Sequence, residues 1–354
     1  MVETINIDFK PTKKSKLPEV DFNKIIFGRV YSDHMFVADF KNGSWSNYQI
    51  EPYDYIPFHP GSAVLHYAQS IFEGLKAYKS ESGEILIFRP EMNFKRMNLS
   101  AQRLCIPEIP EEVFMGGMIE LLKIDKEWVP GLPGTSLYIR PFAFALDEYI
   151  GIRPSDTYKF IIFTCPVGAY YSKPLKVKIE TKYTRAVEGG TGYAKVAGNY
   201  AASLYPAKLA HEKGYDQLIW TDGKEHKYIE EAGTMNVMFL IGDKLITAET
   251  GDSILNGITR ESVLTLAQDW GMDVEIRKVT VEEIIESCKS GELKEAFGVG
   301  TAATVAPIET IGYQGTDYKL PSIENREFSK KILKTLDDIR TGKIEDKFGW
   351  VYKL

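Results

Sequence analysis

One lysine stands in a run of small residues: Gly189-Gly190-Thr191-Gly192-Tyr193-Ala194-Lys195-Val196-Ala197-Gly198. Small neighbours leave space for a bulky partner and little water. Desolvation lowers the pKa of an ammonium and frees its amine for attack on a carbonyl. A solvated lysine on a flexible surface loop would have the same local sequence, and periodicity does not separate the two readings. Two further segments could hold an anion. Asn256-Gly257-Ile258-Thr259 runs directly into an amphipathic pattern, and the unpaired N–H groups and dipole of a helix start favour a phosphate. Taken alone, this segment reads more readily as an Asn-Gly turn followed by an ordinary Thr N-cap. In Gly298-Val299-Gly300-Thr301-Ala302-Ala303-Thr304, small residues allow close backbone approach and successive N–H groups can form an anion nest. The alternative there is a Gly-rich strand end. Neither loop ends in the Gly-Lys-Ser/Thr of a P-loop, and the Rossmann spacing is absent.

Other chemistries have less support. His34, His59, His66, His211 and His226 show neither His-Glu-x-x-His nor Cys/His ligand spacing, which disfavours a metal centre. There is no Gly-x-Ser-x-Gly elbow of a hydrolase.

The elements that must position these residues follow from the hydrophobic pattern. Leu65, Ala68, Ile71, Phe72 and Leu75 fall at helical spacing, which predicts a helix ending near Lys76. A second helix opens at Pro90, with Phe94, Met97, Ala101 and Leu104 as its buried stripe. Leu137 to Ala145 and Lys159 to Thr164 read as strands, and Phe160 to Phe163 as a buried one. Lys176 to Thr181 resumes strand character. Asn199 to Lys213 can form a helix closed by Gly214, with Pro206 near its first turns or kinking it. Met235 to Ile241 and Lys244 to Thr247 suggest a hairpin around Gly242-Asp243. The clearest helix follows Thr259, where Val263, Leu266, Ala267 and Trp270 repeat at helical spacing until Gly271. Ile323 to Ile339 predicts a final surface helix. The segment Cys165-Pro166-Val167-Gly168-Ala169-Tyr170-Tyr171-Ser172-Lys173-Pro174 breaks strand periodicity and reads as a link between domains.

The bulk composition agrees with a two-domain α/β (α+β) protein: 354 residues, of which 44% are hydrophobic, enough for real cores. The boundaries are expected as a smaller N-terminal domain over 1–165, a linker over 166–175 and a larger C-terminal domain over 176–354. A net charge of −6 gives no basic footprint for nucleic acid or an acidic membrane. Cys105, Cys165 and Cys288 are odd in number and far apart, which fits a reducing compartment better than a disulfide framework. Met1 to Pro18 carries Lys13, Lys14 and Lys16 but no apolar segment, unlike a secretory or transit peptide. A cytoplasmic protein is expected.

Taken together, the motifs resemble the branched-chain amino acid aminotransferase family, among the pyridoxal-phosphate enzymes of fold type IV. The likeness runs from about Phe27 to Trp350. It includes Phe27-Gly28, Asp33-His34-Met35, His66-Tyr67, Phe72-Glu73-Gly74-Leu75-Lys76-Ala77, Phe88-Arg89-Pro90 and Tyr138-Ile139-Arg140-Pro141. It continues through Cys165 to Tyr170, Lys195-Val196-Ala197-Gly198-Asn199-Tyr200 and Glu231-Ala232-Gly233-Thr234-Met235-Asn236. The last matches are Asn256-Gly257-Ile258-Thr259-Arg260 and Phe297-Gly298-Val299-Gly300-Thr301-Ala302. The resemblance implies pyridoxal 5'-phosphate on Lys195 as a Schiff base, with the larger C-terminal domain binding the cofactor. Lys195 would also move the substrate's α-proton. Glu231 would pair with the pyridine nitrogen and Tyr200 with the phenolic oxygen. Arg96, the N–H groups of Ile258 and Thr259, and Thr301 would hold the phosphate. Phe27, Tyr67, Phe72, Tyr138 and Thr234 would line an apolar substrate pocket, with Tyr67 and the amides near Ala302 and Ala303 on the α-carboxylate. Ile150 and Ile152 would reach into the partner's pocket of a homodimer. Arg140 is a candidate for the distal carboxylate of glutamate, and a structural strand arginine is an equal alternative.

The implied reaction is reversible ping-pong transfer of an amino group between L-leucine, L-isoleucine or L-valine and 2-oxoglutarate. The alternatives are a D-amino-acid aminotransferase, an aminodeoxychorismate lyase, and a cofactor-carrying binding protein without turnover. The motifs at Phe72 to Ala77 and Tyr138 to Pro141 speak against the first two. Some animal members carry a Cys-x-x-Cys pair just after the Gly-Thr-Ala turn. Here the residues are Ala303-Thr304-Val305-Ala306, which excludes thiol regulation at that position.

Overall fold

The chain is described by a computed structural model over residues 5–168 and 173–354. Residues 169–172 of the expected link, and 1–4, lie outside the described residues. The chain forms two units. The first comprises Met1–Tyr170, Ala194–Ala197 and Asp337–Leu354, and the second Tyr171–Tyr193 and Gly198–Leu336.

The first unit is built on one sheet. Aromatic and β-branched runs make its central strands because such side chains pack well on a pleated surface. Tyr158–Val167 lies between His34–Lys41 and Ser136–Ala145, antiparallel to both. Beyond Ser136–Ala145 come Leu75–Lys79, Ile85–Phe88 and Val351–Lys353. On the other side, His34–Lys41 is followed by Ser44–Pro52 and Asp8–Phe9. Phe36, Phe114 and Phe160 are fully buried and pack ring against ring. The helix Pro90–Arg103 starts at a proline, as its sequence predicts. Its buried positions, however, include Asn93, Arg96 and Ser100, while Phe94 and Leu104 are only half-buried.

The helix expected up to Lys76 is corrected here. A short helix, Ala63–Tyr67, stops at Ala68, whose φ of 50° is left-handed. Strands Ser70–Phe72 and Leu75–Lys79 follow, both paired with Ser136–Ala145. A side chain on Gly74 would overlap the Tyr138 hydroxyl, so glycine is required where these strands approach.

In the second unit six strands close on themselves. Met235–Ile241, Leu293–Gly300, Thr304–Tyr313, Leu175–Ile179, Gln217–Thr221 and Tyr228–Ala232 pair in that order, and Tyr228–Ala232 pairs back to Met235–Ile241. The pairings on either side of Leu175–Ile179 are parallel, the rest antiparallel. Closure removes sheet edges. Val177, Ile219, Val237, Phe239, Ala296 and Ile308 belong to the core of this unit. The hairpin at Gly242-Asp243 forms as expected. Helix Ala197–Glu212 starts before Asn199, which puts Pro206 in its interior and not in its first turns, and helix Ile258–Asp269 has Gly257, not Thr259, at its N-cap. The final helix is split into a single turn, Ile323–Asn325, and Phe328–Arg340. The break comes from Glu295, whose buried carboxylate accepts from the N–H groups of Phe328 and Ser329 at 2.9 and 3.0 Å and so sets the helix start.

Candidate active site

In the first unit Lys195 is not on a loose loop. Its N–H donates to Ser100 Oγ at 2.9 Å, and its carbonyl accepts from the N–H of Phe72 at 3.1 Å. Val196 bridges Ile71 in antiparallel register. The segment is thus pinned on two sides, and the side chain is half-buried with Nζ 4.9 Å from the Phe72 ring centre. In the second unit, Thr191 and Asn199 join the flanks of this segment by two hydrogen bonds of 2.6 and 2.8 Å.

Beside Phe72 lies Glu73, completely buried between the strands Ser70–Phe72 and Leu75–Lys79. Its two oxygens accept from Arg96 Nε and Nη2 at 2.7 and 2.9 Å, and Asn93 adds a third donor at 2.7 Å. Burial raises the Glu73 pKa, but Arg96, Lys195 and Asn93 together outweigh it and hold the carboxyl below its usual range. Arg96 is therefore buried, unlike its exposed neighbour Lys95. Glu73 escaped sequence reasoning. The available signal was a lone acid between Phe72 and Gly74.

Phe72, Tyr138, Phe27 and Arg140 come together. The Arg140 guanidinium lies 4.5 Å from the Phe72 ring centre and donates to the Tyr138 hydroxyl at 2.9 Å. Phe27 meets Tyr138 edge-on at 5.2 Å. Cys165 packs in this group, and burial pushes its thiol up to about 11. Tyr67 stands at the end of its short helix and is exposed. Ile150 and Ile152 are exposed, Ile152 by 93%. Their loop is clamped at its base by Asp147. One carboxylate oxygen accepts from Thr157 N–H and Oγ1, the other from Asp156 N–H and Arg153 Nη2, at 2.6 to 2.9 Å.

In the second unit Glu231 is buried on the strand that closes the ring of six. The alternation of a strand would put one of Glu230 and Glu231 in solvent, yet both are buried. Arg185 Nη2 lies 2.7 Å from Glu231 Oε2, and Asn236 Nδ2 donates to Oε1 at 3.1 Å. Asn236 also donates to the Leu255 carbonyl at 2.9 Å, linking Glu231 to the turn before the helix Ile258–Asp269. Gly257 has no side chain to cap that helix and stands at its N-cap. Ile258 and Thr259 supply its first N–H groups and are buried. Thr301, Ala302 and Ala303 form the turn between Leu293–Gly300 and Thr304–Tyr313, all half-buried. Tyr200 lies in the first turn of Ala197–Glu212, half-buried, and Thr234 is exposed in the turn after Glu231. Arg185 and Asn236 had no assigned role in the sequence reading. Arg185 stands ten positions before Lys195, a separation that carries no signal of its own.

Comparison with known proteins bears on these groups. Residues 70–311 match the family model described as Amino-transferase class IV. Branched-chain-amino-acid aminotransferase 2 of Bacillus subtilis (strain 168) is 46% identical over 352 residues, covering 98% of this chain and 96% of that protein. The solved branched-chain aminotransferase of Thermoproteus uzoniensis with norvaline superposes with a TM-score of 0.73 at 26% identity, over 90% of this chain and 99% of that one. The T.th. branched-chain amino acid aminotransferase complexed with N-(5'-phosphopyridoxyl)-L-glutamate gives 0.71 at 25% identity, over 89% and 97%. The match spans the lysine segment, the buried glutamate and both anion turns, and the chain belongs to the class IV aminotransferases, within them to the branched-chain amino acid aminotransferases.

Proposed function

We propose that this chain uses pyridoxal 5'-phosphate to move an amino group reversibly, in ping-pong fashion, between L-leucine, L-isoleucine or L-valine and 2-oxoglutarate. The observation that carries the reading is the group Phe72, Tyr138 and Phe27, which holds one guanidinium, Arg140, on the unit that carries Lys195. Aromatic walls suit branched aliphatic side chains, each buried CH₂ contributing about 0.8 kcal/mol. Arg140 suits the distal carboxylate of glutamate, the amino acid that the acceptor becomes. The names of the relatives, and the phosphopyridoxyl-glutamate bound by the T.th. enzyme, support the same reading.

The residues fit the cofactor. An amine for its aldehyde, a buried carboxylate for its ring nitrogen and a helix start capped by glycine for its phosphate are each present. When bound, pyridoxal phosphate supplies an electron sink for the charge released at the substrate's α-carbon. In this reading Lys195 holds the cofactor and then carries the α-proton. Glu231 faces the ring nitrogen, and Tyr200 donates to the phenolic oxygen. Arg96, Thr301 and the N–H groups of Ile258 and Thr259 hold the phosphate. Tyr67 and the amides near Ala302 and Ala303 orient the α-carboxylate, and Thr234 completes the lining. The protein acts as a homodimer in which Ile150 and Ile152 reach the partner's substrate. Its three free cysteines fit the reducing cytoplasm. Among the described residues no helix is long and apolar enough to cross a membrane.

Borohydride reduction of the cofactor-loaded protein, followed by peptide mapping, tests the central assignment. The expected label is on Lys195, and Lys195→Ala should lose turnover. A label on another lysine, or faster turnover with D-alanine than with L-leucine, overturns the reading.

A further inference from the structure

The Arg185 side chain, only 9% exposed, lies between two acids. Its Nη2 meets Glu231 Oε2 at 2.7 Å and donates to the Ser253 carbonyl. Ser253 Oγ in turn donates to Glu230. Among the described residues, Nε of Arg185 and Oε2 of Glu230 have no hydrogen-bond partner. Such a buried ion pair is costly to assemble, and replacing it by apolar residues is often neutral or stabilising. Its presence therefore calls for a reason other than stability. Asn236 holds the second oxygen of Glu231, so the carboxylate is gripped at both ends.

We propose that Arg185 is a positioning residue that sets where the proton lies between Glu231 and the cofactor's ring nitrogen. This rests on the reading that Glu231 faces that nitrogen. A carboxylate and a pyridine can share one proton, and the electron sink needs it on nitrogen. A guanidinium against the carboxylate repels a proton at oxygen more strongly than one at the more distant nitrogen. It lowers the basicity of the acid and leaves the ring protonated. Without that charge, buried Glu231 becomes the stronger base and draws the proton to itself. Glu230 also feels the Arg185 charge, but it bonds to Ser253 and alternates to the other face of the strand, so removing its carboxylate leaves Arg185 acting on Glu231.

The test uses full-length protein reconstituted with pyridoxal phosphate carrying ¹⁵N in its ring, whose shift reports ring protonation directly. Wild type should give a protonated ring. Arg185→Gln, still able to bond the Ser253 carbonyl, should move the shift towards the unprotonated form, and cofactor affinity should fall about tenfold. Arg185→Lys should restore the shift, and Glu230→Gln should leave it unchanged. A protonated ring in folded Arg185→Gln overturns the proposal. A protonated ring in Glu231→Gln instead overturns the placement of Glu231. Should Arg185→Gln fail to fold, isotope-edited infrared spectra of wild-type apoprotein, assigned by difference from Glu231→Gln, decide. The proposal requires Glu231 ionised at pH 5, and a neutral carboxyl there sinks it.

Discussion

Lys76 shows how much a single buried charge can make stability depend on pH. It is buried beside Arg340, with Asp337 close by. Burial and Arg340 lower its pKa from 10.5 to about 7, against the opposing pull of Asp337. Between about pH 7 and 10.5 the unfolded chain holds a proton that the folded one lacks, so stability rises with pH across that window. Below it both states hold the proton, and burial beside Arg340 costs the folded ammonium more than Asp337 returns. Lys76→Met should therefore raise the melting temperature by several degrees at pH 6, with about 2–4 °C for each kcal/mol, and by much less at pH 9.5. Thermal unfolding at the two pH values checks this, and an equal gain at both would refute it. Residues such as Lys76 are hard to read from a sequence, because their meaning lies in partners far along the chain. Glu73 and Arg96 are 23 positions apart, and no local pattern joins Arg185 to Glu231. Lys195, Glu231 and the Gly257-Ile258-Thr259 turn could be singled out from the sequence because each sits in a motif that resembles the family's.

At the scale of elements, the loop between Ser136–Ala145 and Tyr158–Val167 presents Tyr149, Ile150 and Ile152 to the outside while its base is fixed by Asp147. Burial raises the Asp147 pKa, but bonds from Thr157, Asp156 and Ser155 outweigh it and keep the carboxyl low. Asp147→Ala should free the tip. We expect the Michaelis constant for leucine to rise about tenfold, given about 1.5–3 kcal/mol for a hydrogen bond to a charged group, with cofactor affinity unchanged and faster amide exchange over residues 148–156. Faster exchange with an unaltered Michaelis constant would separate this loop from substrate binding. The strand around the apolar run Phe160 to Phe163 was legible in the sequence, but it continues to Val167, through residues whose Pro and Gly neighbours suggested a link. The stretch around Leu65 to Leu75 was not legible. Its apolar spacing suits a helix, and only the pairing with Ser136–Ala145, distant in sequence, makes it two strands.

For the whole molecule, the exposed isoleucines make a prediction that one chain cannot fulfil alone. Ile152→Asp should raise the Michaelis constant for leucine strongly, because a charge desolvates poorly against an aliphatic group. If the proposed homodimer forms, mixing with Lys195→Ala should restore part of its activity, since the subunit with an intact Lys195 would then receive a normal Ile152 from its partner. No recovery despite demonstrated subunit exchange would mean that Ile152 serves its own chain. The two-unit division carries a different consequence. The first unit includes Ala194–Ala197, seated against Ile71 and Phe72, and Val351–Lys353, paired with Ile85–Phe88. A ribosome releases the chain from its N-terminus. Throughout most of synthesis, Ile85–Phe88 waits as an uncovered apolar edge, and such edges recruit the wrong strands. The half that emerges first is thus completed only when Val351–Lys353 has been made, and Ile85–Phe88 needs shielding until then.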